Sequence, residues 1–217
     1  MSSKKRTVAD LLFGVQIVGA LVFCGAYFMR SLHDVTGSST VQFSLVATYL
    51  LFHLALGIGA HRAAPSRVTR QAIFTYAFWF VLIVAIIGAV GTNPAYQWNE
   101  KETTQLLTAV ILTIAVLVAS AIQDRKMSDP MVKALFAIAY KSVPQVLLAW
   151  KFLAEGASGT PGLSVVVGHL TILIRLGQIY FMVKEAGWDR NRIWLAISET
   201  LNEASWIIAS AVWFFIS

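Results

Sequence analysis

Residues 163–183 read LSVVVGHLTILIRLGQIYFMV. A helix needs about 20 such residues to cross a hydrocarbon core of about 30 Å, and this run supplies them. Its one full charge is Arg175. At 1.5 Å per residue from Leu163, Arg175 stands about 18 Å in, near the bilayer centre and too deep to snorkel with ease. A charge at that depth costs several kcal/mol, so it marks a pathway or a binding site by default. Working outward, six further apolar runs occupy 11–29, 41–60, 72–92, 103–122, 131–152 and 193–216. The seven runs fall as three, then one, then three. The chain is 57% hydrophobic and 13% charged, against roughly 25% charged in a soluble domain. The expected fold class is therefore an all-α polytopic membrane protein. It has seven transmembrane helices as two parallel three-helix bundles joined by a linker helix. The expected boundaries are a cytoplasmic N-terminus at 1–10, a first three-helix repeat at 11–92, the linker helix at 103–122 and a second three-helix repeat at 131–217. The spans take up most of the chain, so little is left for an extramembrane domain.

The formal net charge is +6, but its placement points to lipid rather than nucleic acid. Lys4, Lys5 and Arg6 precede the first run, and Arg62, Arg67 and Arg70 separate the second from the third. Arg125, Lys126 and Lys133 flank the next such junction, and Lys184, Arg190 and Arg192 the last. The opposite side shows only Arg30, Lys101 and Lys151. This asymmetry places the N-terminus in the cytoplasm and the C-terminus outside, in a bacterial plasma (inner) membrane. The single cysteine, Cys24, excludes an internal disulfide and reads as a small packing residue. The first run is too long for a signal peptide and no small-x-small site follows it before Arg30, so it is read as a span.

Local punctuation agrees with these limits. Thr36 to Thr40 and Gly156 to Gly162 read as outer loops, and Gly91-Thr92-Asn93-Pro94 ends the third span. Asp129-Pro130 supplies an N-cap and first helical position, and Asp189 to Arg192 opens the seventh span. A weak internal repeat also shows. Gly37 to Ser44 followed by an apolar helix reaching Gly57 is similar to Gly159 to Ser164 followed by one reaching Gly177, at an offset of about 120. An odd linker helix makes such repeats parallel, a recurring architecture of secondary transporters.

The segment Lys141-Ser142-Val143-Pro144-Gln145-Val146, with Trp150-Lys151, then Gly159, Gly162-Leu163-Ser164 and Gln178-Ile179-Tyr180, resembles a PQ-loop repeat. That superfamily includes SWEET and SemiSWEET sugar transporters, cystinosin-like amino-acid transporters and the KDEL receptor. The resemblance covers about 40 residues of the second half; the first half has Cys24-Gly25 where the offset would put Pro-Gln. It implies a seven-helix 3+1+3 carrier, with Pro144 as a hinge. It also implies a substrate role for Asn202, which stands where sugar carriers have a substrate-binding Asn, and an anion contact for Arg175, as in the KDEL receptor. Two features depart from the sugar carriers. Those usually have the N-terminus outside, and the sixth span here has no Trp to stack on a sugar ring. Sugar is thus disfavoured.

The residues themselves carry a consistent reading. Arginine is an always-charged fork suited to a carboxylate or phosphate; the bland alternative for Arg175 is a salt bridge to Glu199 or Glu203. Those two carboxylates are four apart and share a helix face, with Asn202 beside them. Two carboxylates in low dielectric do not both ionise easily, which is how a proton-coupling site is made. Lys141 lies four residues before Gln145 and would tune the carboxylates. Trp79 and Trp206, each on the third helix of its half, are expected in a shared cavity or in ordinary packing. His53 and His169 lie inside spans and read as hydrogen-bonded packing residues. No metal motif or catalytic constellation is legible, so no enzyme, cofactor or metal site is expected.

The expected function is a PQ-loop-type membrane transporter that moves a small polar solute, anionic or zwitterionic, by alternating access with proton coupling. Arg175, Asn202, Gln145, Trp206 and Lys141 would bind the substrate; Glu203 or Glu199 would carry the proton. Partners are the small-molecule substrate and the lipid bilayer, with a homo-oligomer open and nucleic acid excluded. The alternatives are a ligand-binding receptor or scaffold on the same fold, or an oligomeric ion channel.

Overall fold

The computed structural model describes residues 3–217, with side chains from Asp10 onward, and its regular structure is entirely helical. The expected cytoplasmic segment 1–10, with Lys4, Lys5 and Arg6, lies almost wholly outside the described side chains. The elements are α1 (Ser3–Ser31), α2 (Thr40–Ala63), α3 (Arg67–Thr92), α4 (Glu100–Ile122), α5 (Pro130–Ala137), a π turn (Ile138–Ser142), α6 (Val143–Glu155), α7 (Gly162–Ala186) and α8 (Arg190–Ile216).

Most helix starts are set by one local side chain that accepts from otherwise orphaned N–H groups. Ser39 accepts from Gln42 N, Asn99 from Lys101 N and Glu102 N, Asp129 from Met131 N, and Asp189 from Arg192 N. Ser66 and Thr69 form a reciprocal capping box at α3. α7 instead follows Pro161, which has no side-chain cap bond.

Six helices are long and apolar enough to cross a membrane: Asp10–Ser31, α2, α3, α4, the rod Pro130–Glu155, and α7. They mark an integral membrane protein. α8 has 27 residues, but Ser198, Glu199, Asn202, Glu203 and Ser205 dilute its apolar character, and it is not among the six. Ile111, Ile114 and Val118 on α4, and Leu170 and Leu173 on α7, stand exposed. In water such faces would aggregate, whereas in lipid they are ordinary.

The packing follows one order in both halves. α3 lies against both α1 and α2, and α8 lies against α7 and against α5 and α6. The halves meet crosswise, α1 on α7 and α2 on the π turn and α6. α4 packs on α2, α5 and α6.

The expected kink at Pro144 takes the form of a wide turn just before it. Val143 N–H bonds to Ile138 O, five residues back. Pro144 has no N–H to give, and its ring would press on the carbonyl four residues earlier, that of Tyr140. Tyr140 lies inside the π turn, where the ladder is widened to make room. The rod therefore continues across the proline and Lys141 is carried on the wide turn.

The end of the molecule away from the basic loops is knitted shut. Gly159 N donates to Thr36 O at 3.1 Å, Arg30 Nε to Ser158 O at 2.8 Å, and Trp213 Nε1 to Thr160 O at 3.0 Å. Tyr27 OH meets Thr160 Oγ1 at 3.0 Å. Gly37 sits at φ +74°, against the Gly156 carbonyl, and a Cβ on Gly159 would lie 2.6 Å from Thr36 O. These two positions admit only glycine, the first for its left-handed backbone and the second for space.

Beside this knot lies a buried ion pair absent from the sequence reading. Lys151 Nζ bonds to Glu102 Oε1, and both side chains are almost fully enclosed. Glu102 Oε2 also accepts from Val41 N at 3.1 Å, and the Ser39 hydroxyl reaches Glu102 Oε2 at 3.0 Å and Gln105 Oε1 at 2.7 Å. Lys151, counted in the sequence as an outer loop charge, is thus a core residue that ties α6 to α4 and α2. Its aliphatic stem and an acidic partner on another helix bring it inside.

Candidate functional site

A cavity of about 900 Å³ runs between the two halves. Leu12, Val68, Gln71, Lys184 and Glu185 line it at the basic end; Tyr49, Tyr76, Lys141, Arg175 and Glu199 line its middle. Beyond them lie Gln42, Phe43, Tyr27 and Phe23 with Trp79, Gln145, Asn202 and Trp206. The lining stops at Tyr27, Gln42 and Phe43, which are buried under the knotted loops. All four walls come from different stretches: α1, α2–α3, the π turn with α6, and α7–α8.

Five expected substrate residues line this one cavity: Arg175, Lys141, Gln145, Asn202 and Trp206. Arg175 donates to Gln178 Oε1 at 3.1 Å, one turn on. Glu199 is near enough for its charge to act on it. Among the described residues, no carboxylate comes within ion-pairing distance of Arg175. Glu199 pairs instead with Lys141, whose Nζ lies 3.2 Å from Glu199 Oε2 and 5.0 Å from the centre of the Tyr49 ring.

Asn202 Nδ2 donates to Glu199 Oε2 at 3.4 Å, while its Oδ1 is buried without a hydrogen-bond donor. Gln42 Oε1 is in the same condition, on the opposite half. Gln145 Oε1 accepts from Ser205 Oγ at 2.5 Å. Trp206 is 5% exposed and its Nε1 donates to Val165 O at 3.1 Å. Gly168 makes room for that indole: a Cβ there would lie 2.5 Å from Trp206 Nε1. Pro144 is buried and is not part of the cavity wall.

The two carboxylates of α8 take different partners. Glu203 is not among the residues that line the cavity; His169 Nδ1 lies 2.6 Å from its Oε1, and His169 Nε2 lies 2.9 Å from Ser210 Oγ. Glu203, which the bland alternative paired with Arg175, is therefore held by α7. Four residues is slightly more than one turn, and that excess angle directs Glu199 to the π turn and Glu203 to α7.

Three features escaped the sequence. Phe23 of α1 stands between the two tryptophans, its ring centre 5.8 Å from Trp79 and 6.3 Å from Trp206. An aromatic in a uniformly apolar span gives no periodic signal. Gln42 also lines the cavity, its acceptor buried without a partner, and only its polarity inside a span could have flagged it. The π turn under Lys141 is the third.

The middle of the cavity thus holds two cations and one anion, with aromatic rings beyond them. Such a site takes an anionic group on the guanidinium and an apolar body further in. Comparison of the chain with protein-family models, curated proteins and solved structures returned no match.

Proposed function

We propose that this protein is a PQ-loop-type, seven-helix transporter that moves a small anionic or zwitterionic solute by alternating access. One observation carries the reading: a 900 Å³ cavity with Arg175, Lys141 and Glu199 at its middle extends to one end and stops beneath knotted loops at the other. A solute site reached from one side and closed on the other is what alternating access requires. An open channel would be lined through to both ends.

Several facts support the fuller architecture. The third helix lies between the other two in each half, and the halves exchange first-on-second helix contacts both ways. That is the relation expected of two parallel three-helix units with α4 as linker. α8, polar where it faces Lys141 and His169, crosses as the seventh helix, with Glu199 partnered by Lys141 and Glu203 by His169 inside the bundle. The basic loops support a cytoplasmic accessible end in a bacterial inner membrane, with the N-terminus inside. The π turn before Pro144 supplies a joint of the kind found at functional positions. Glu199, in the cavity, and Glu203, beside it, are the groups to carry a proton.

The test is uptake into proteoliposomes. Arg175→Gln should abolish accumulation while the variant melts as a folded protein. Normal accumulation by that variant would overturn the assignment.

A further inference from the structure

Arg175 is reached from the basic end by a second way. A smaller cavity, of about 190 Å³, is lined by Lys133, Asn191 and His53 and ends on Tyr49, Tyr76 and Arg175, which it shares with the larger one. We propose that this smaller cavity binds a small inorganic monoanion, of the class of nitrate or chloride. The ion enters past Lys133 and rests on the Arg175 guanidinium.

Placement comes first. The walls come from α2, α3, α5, α7 and α8, so the space lies inside the bundle and not against lipid. Asn191, in the first turn of α8, is exposed and marks the mouth at the basic end. Lys133 lies near the start of α5, at about the same level. Arg175 stands about 16 Å from Ala186, where α7 ends, at 1.5 Å per residue. A volume of 190 Å³ spread over that depth is a narrow passage. It is below the roughly 300–1,000 Å³ of sites for organic ligands, and has room for an ion and a few waters.

Charge decides the ligand. Among the described residues, Lys133 and Arg175 line the passage and no carboxylate does. Lys133 is part-buried, and its ammonium has no acid or hydrogen-bond acceptor in reach among the described residues. Two carboxylates stand close by, and both are taken. Arg125 and Arg190 each reach Asp129 at 3.2 Å, and Lys141 holds Glu199 in the larger cavity at 3.2 Å. A guanidinium at mid-membrane depth carries its charge at a cost, which a counter-ion offsets. Of the two cations only Arg175 stands at that depth, so one negative charge is called for there. Lys133, near the mouth, draws anions in and repels cations.

The inner end is walled by rings. His53 Nδ1 donates to Tyr49 O at 3.0 Å. The His53 ring lies 4.2 Å from that of Tyr49 and 5.4 Å from that of Tyr76. These packed rings narrow the way from the passage into the larger cavity. Arg175 gives an N–H to Gln178 Oε1 at 3.1 Å, and a guanidinium has five in all, so donors remain for an ion. A bulky organic anion reaches Arg175 only through the larger cavity; the passage selects by size.

The test titrates the purified full-length protein in low-salt buffer with sodium nitrate, sodium chloride or sodium gluconate, read by melting temperature and by calorimetry. Nitrate and chloride should raise the melting temperature saturably, as a ligand of the folded state does. Arg175→Gln should abolish that binding. Lys133 lines only the smaller cavity, and Lys133→Glu should weaken binding at least about tenfold. Lys126 is exposed at the same end and lines neither cavity, so Lys126→Glu should change it less than about twofold. Gluconate is too large for the passage, so whatever shift it gives should be the same in Lys133→Glu as in the parent. Melting without added ion shows whether each variant folds. Lys133 has no partner to lose, so Lys133→Glu decides even where Arg175→Gln does not fold. Nitrate binding kept in Lys133→Glu overturns the passage and puts the ion in the larger cavity. Equal weakening by both lysine variants overturns the site in favour of general surface charge. A gluconate shift that Lys133→Glu reduces as much as that of nitrate overturns the size limit. No saturable shift from nitrate or chloride overturns the proposal outright. Because no solute is used, each result is independent of transport.

Discussion

Lys141 Nζ stands 3.2 Å from Glu199 Oε2, a pair 58 residues apart in the chain that closes the middle of the cavity from the π turn to α8. It holds the acid so that Arg175 remains available to a ligand. The pair lines the cavity, and its electrostatics can be separated from its structural role.

Lys141→Met or Glu199→Gln alone leaves a charge inside the bundle without its partner. Each should destabilise by roughly 1–3 kcal/mol, below the figure for a dry pair because water enters the cavity. The double variant should recover most of the melting temperature in detergent. Uptake should not return with it, since the net charge around Arg175 and the Asn202 contact have both changed. Full recovery of uptake in the double variant would show that the pair only holds helices together.

The buried pair Glu102–Lys151 should behave differently. It lies outside the cavity, beside the knotted end. Either Glu102→Gln or Lys151→Met should cost about 3–5 kcal/mol by stranding a buried charge, and the double variant much less. A double-mutant cycle on thermal unfolding measures the coupling. Ligand affinity in the double variant should equal that of the parent.

Gly159→Ala tests the knot. The added methyl would lie 2.6 Å from Thr36 O and 2.7 Å from Thr36 N, both backbone. The loops must part to accept it. The expected outcome is a melting temperature lowered by several degrees and increased labelling of a cysteine placed at Ser38 from the knotted side. Unchanged labelling would mean that the two loops are not what closes that end.

Asp34 gives the knot a pH dependence. Its burial works to raise the carboxyl, but the backbone N–H of Thr36, Ser158 and the Arg30 guanidinium outweigh it and hold it below the ordinary value. A depressed folded value stabilises above the unfolded value of about 3.9 and is lost as pH falls through the folded one. The parent should therefore be more stable than Asp34→Asn by a constant margin from neutral pH down to about pH 4, and the margin should close below that. Melting curves at stepped pH read it directly. A margin that widens with acid would refute the linkage.

Much of this architecture was legible because its causes are local. The caps Asp129 and Asp189 act within one turn of the N–H groups they satisfy, so the starts of α5 and α8 could be read from residue type. The end of α3 at Thr92, just before Asn93-Pro94, is equally local. The depth of Arg175 follows from rise per residue alone, and the structure carries it into the cavity together with Lys141, Gln145, Asn202 and Trp206. Rotation was not legible. In a span apolar on every side, no polar face reports which residues turn inward, so Phe23 gave no sign of its position and Gln42 only its polarity.

By itself, then, the chain determined length, polarity and depth: which runs are long and apolar enough to span, where helices start, and at what level the charges stand. Only the tertiary structure decided partnership. Glu203 went to His169 rather than Arg175, Lys151 went inward to Glu102, and the proline's strain was taken up by a π turn under Lys141. The physical reason is range. A cap or an apolar run is satisfied within a few residues, whereas a buried charge takes the nearest opposite charge in space, and that neighbour is set by how helices far apart in sequence are packed.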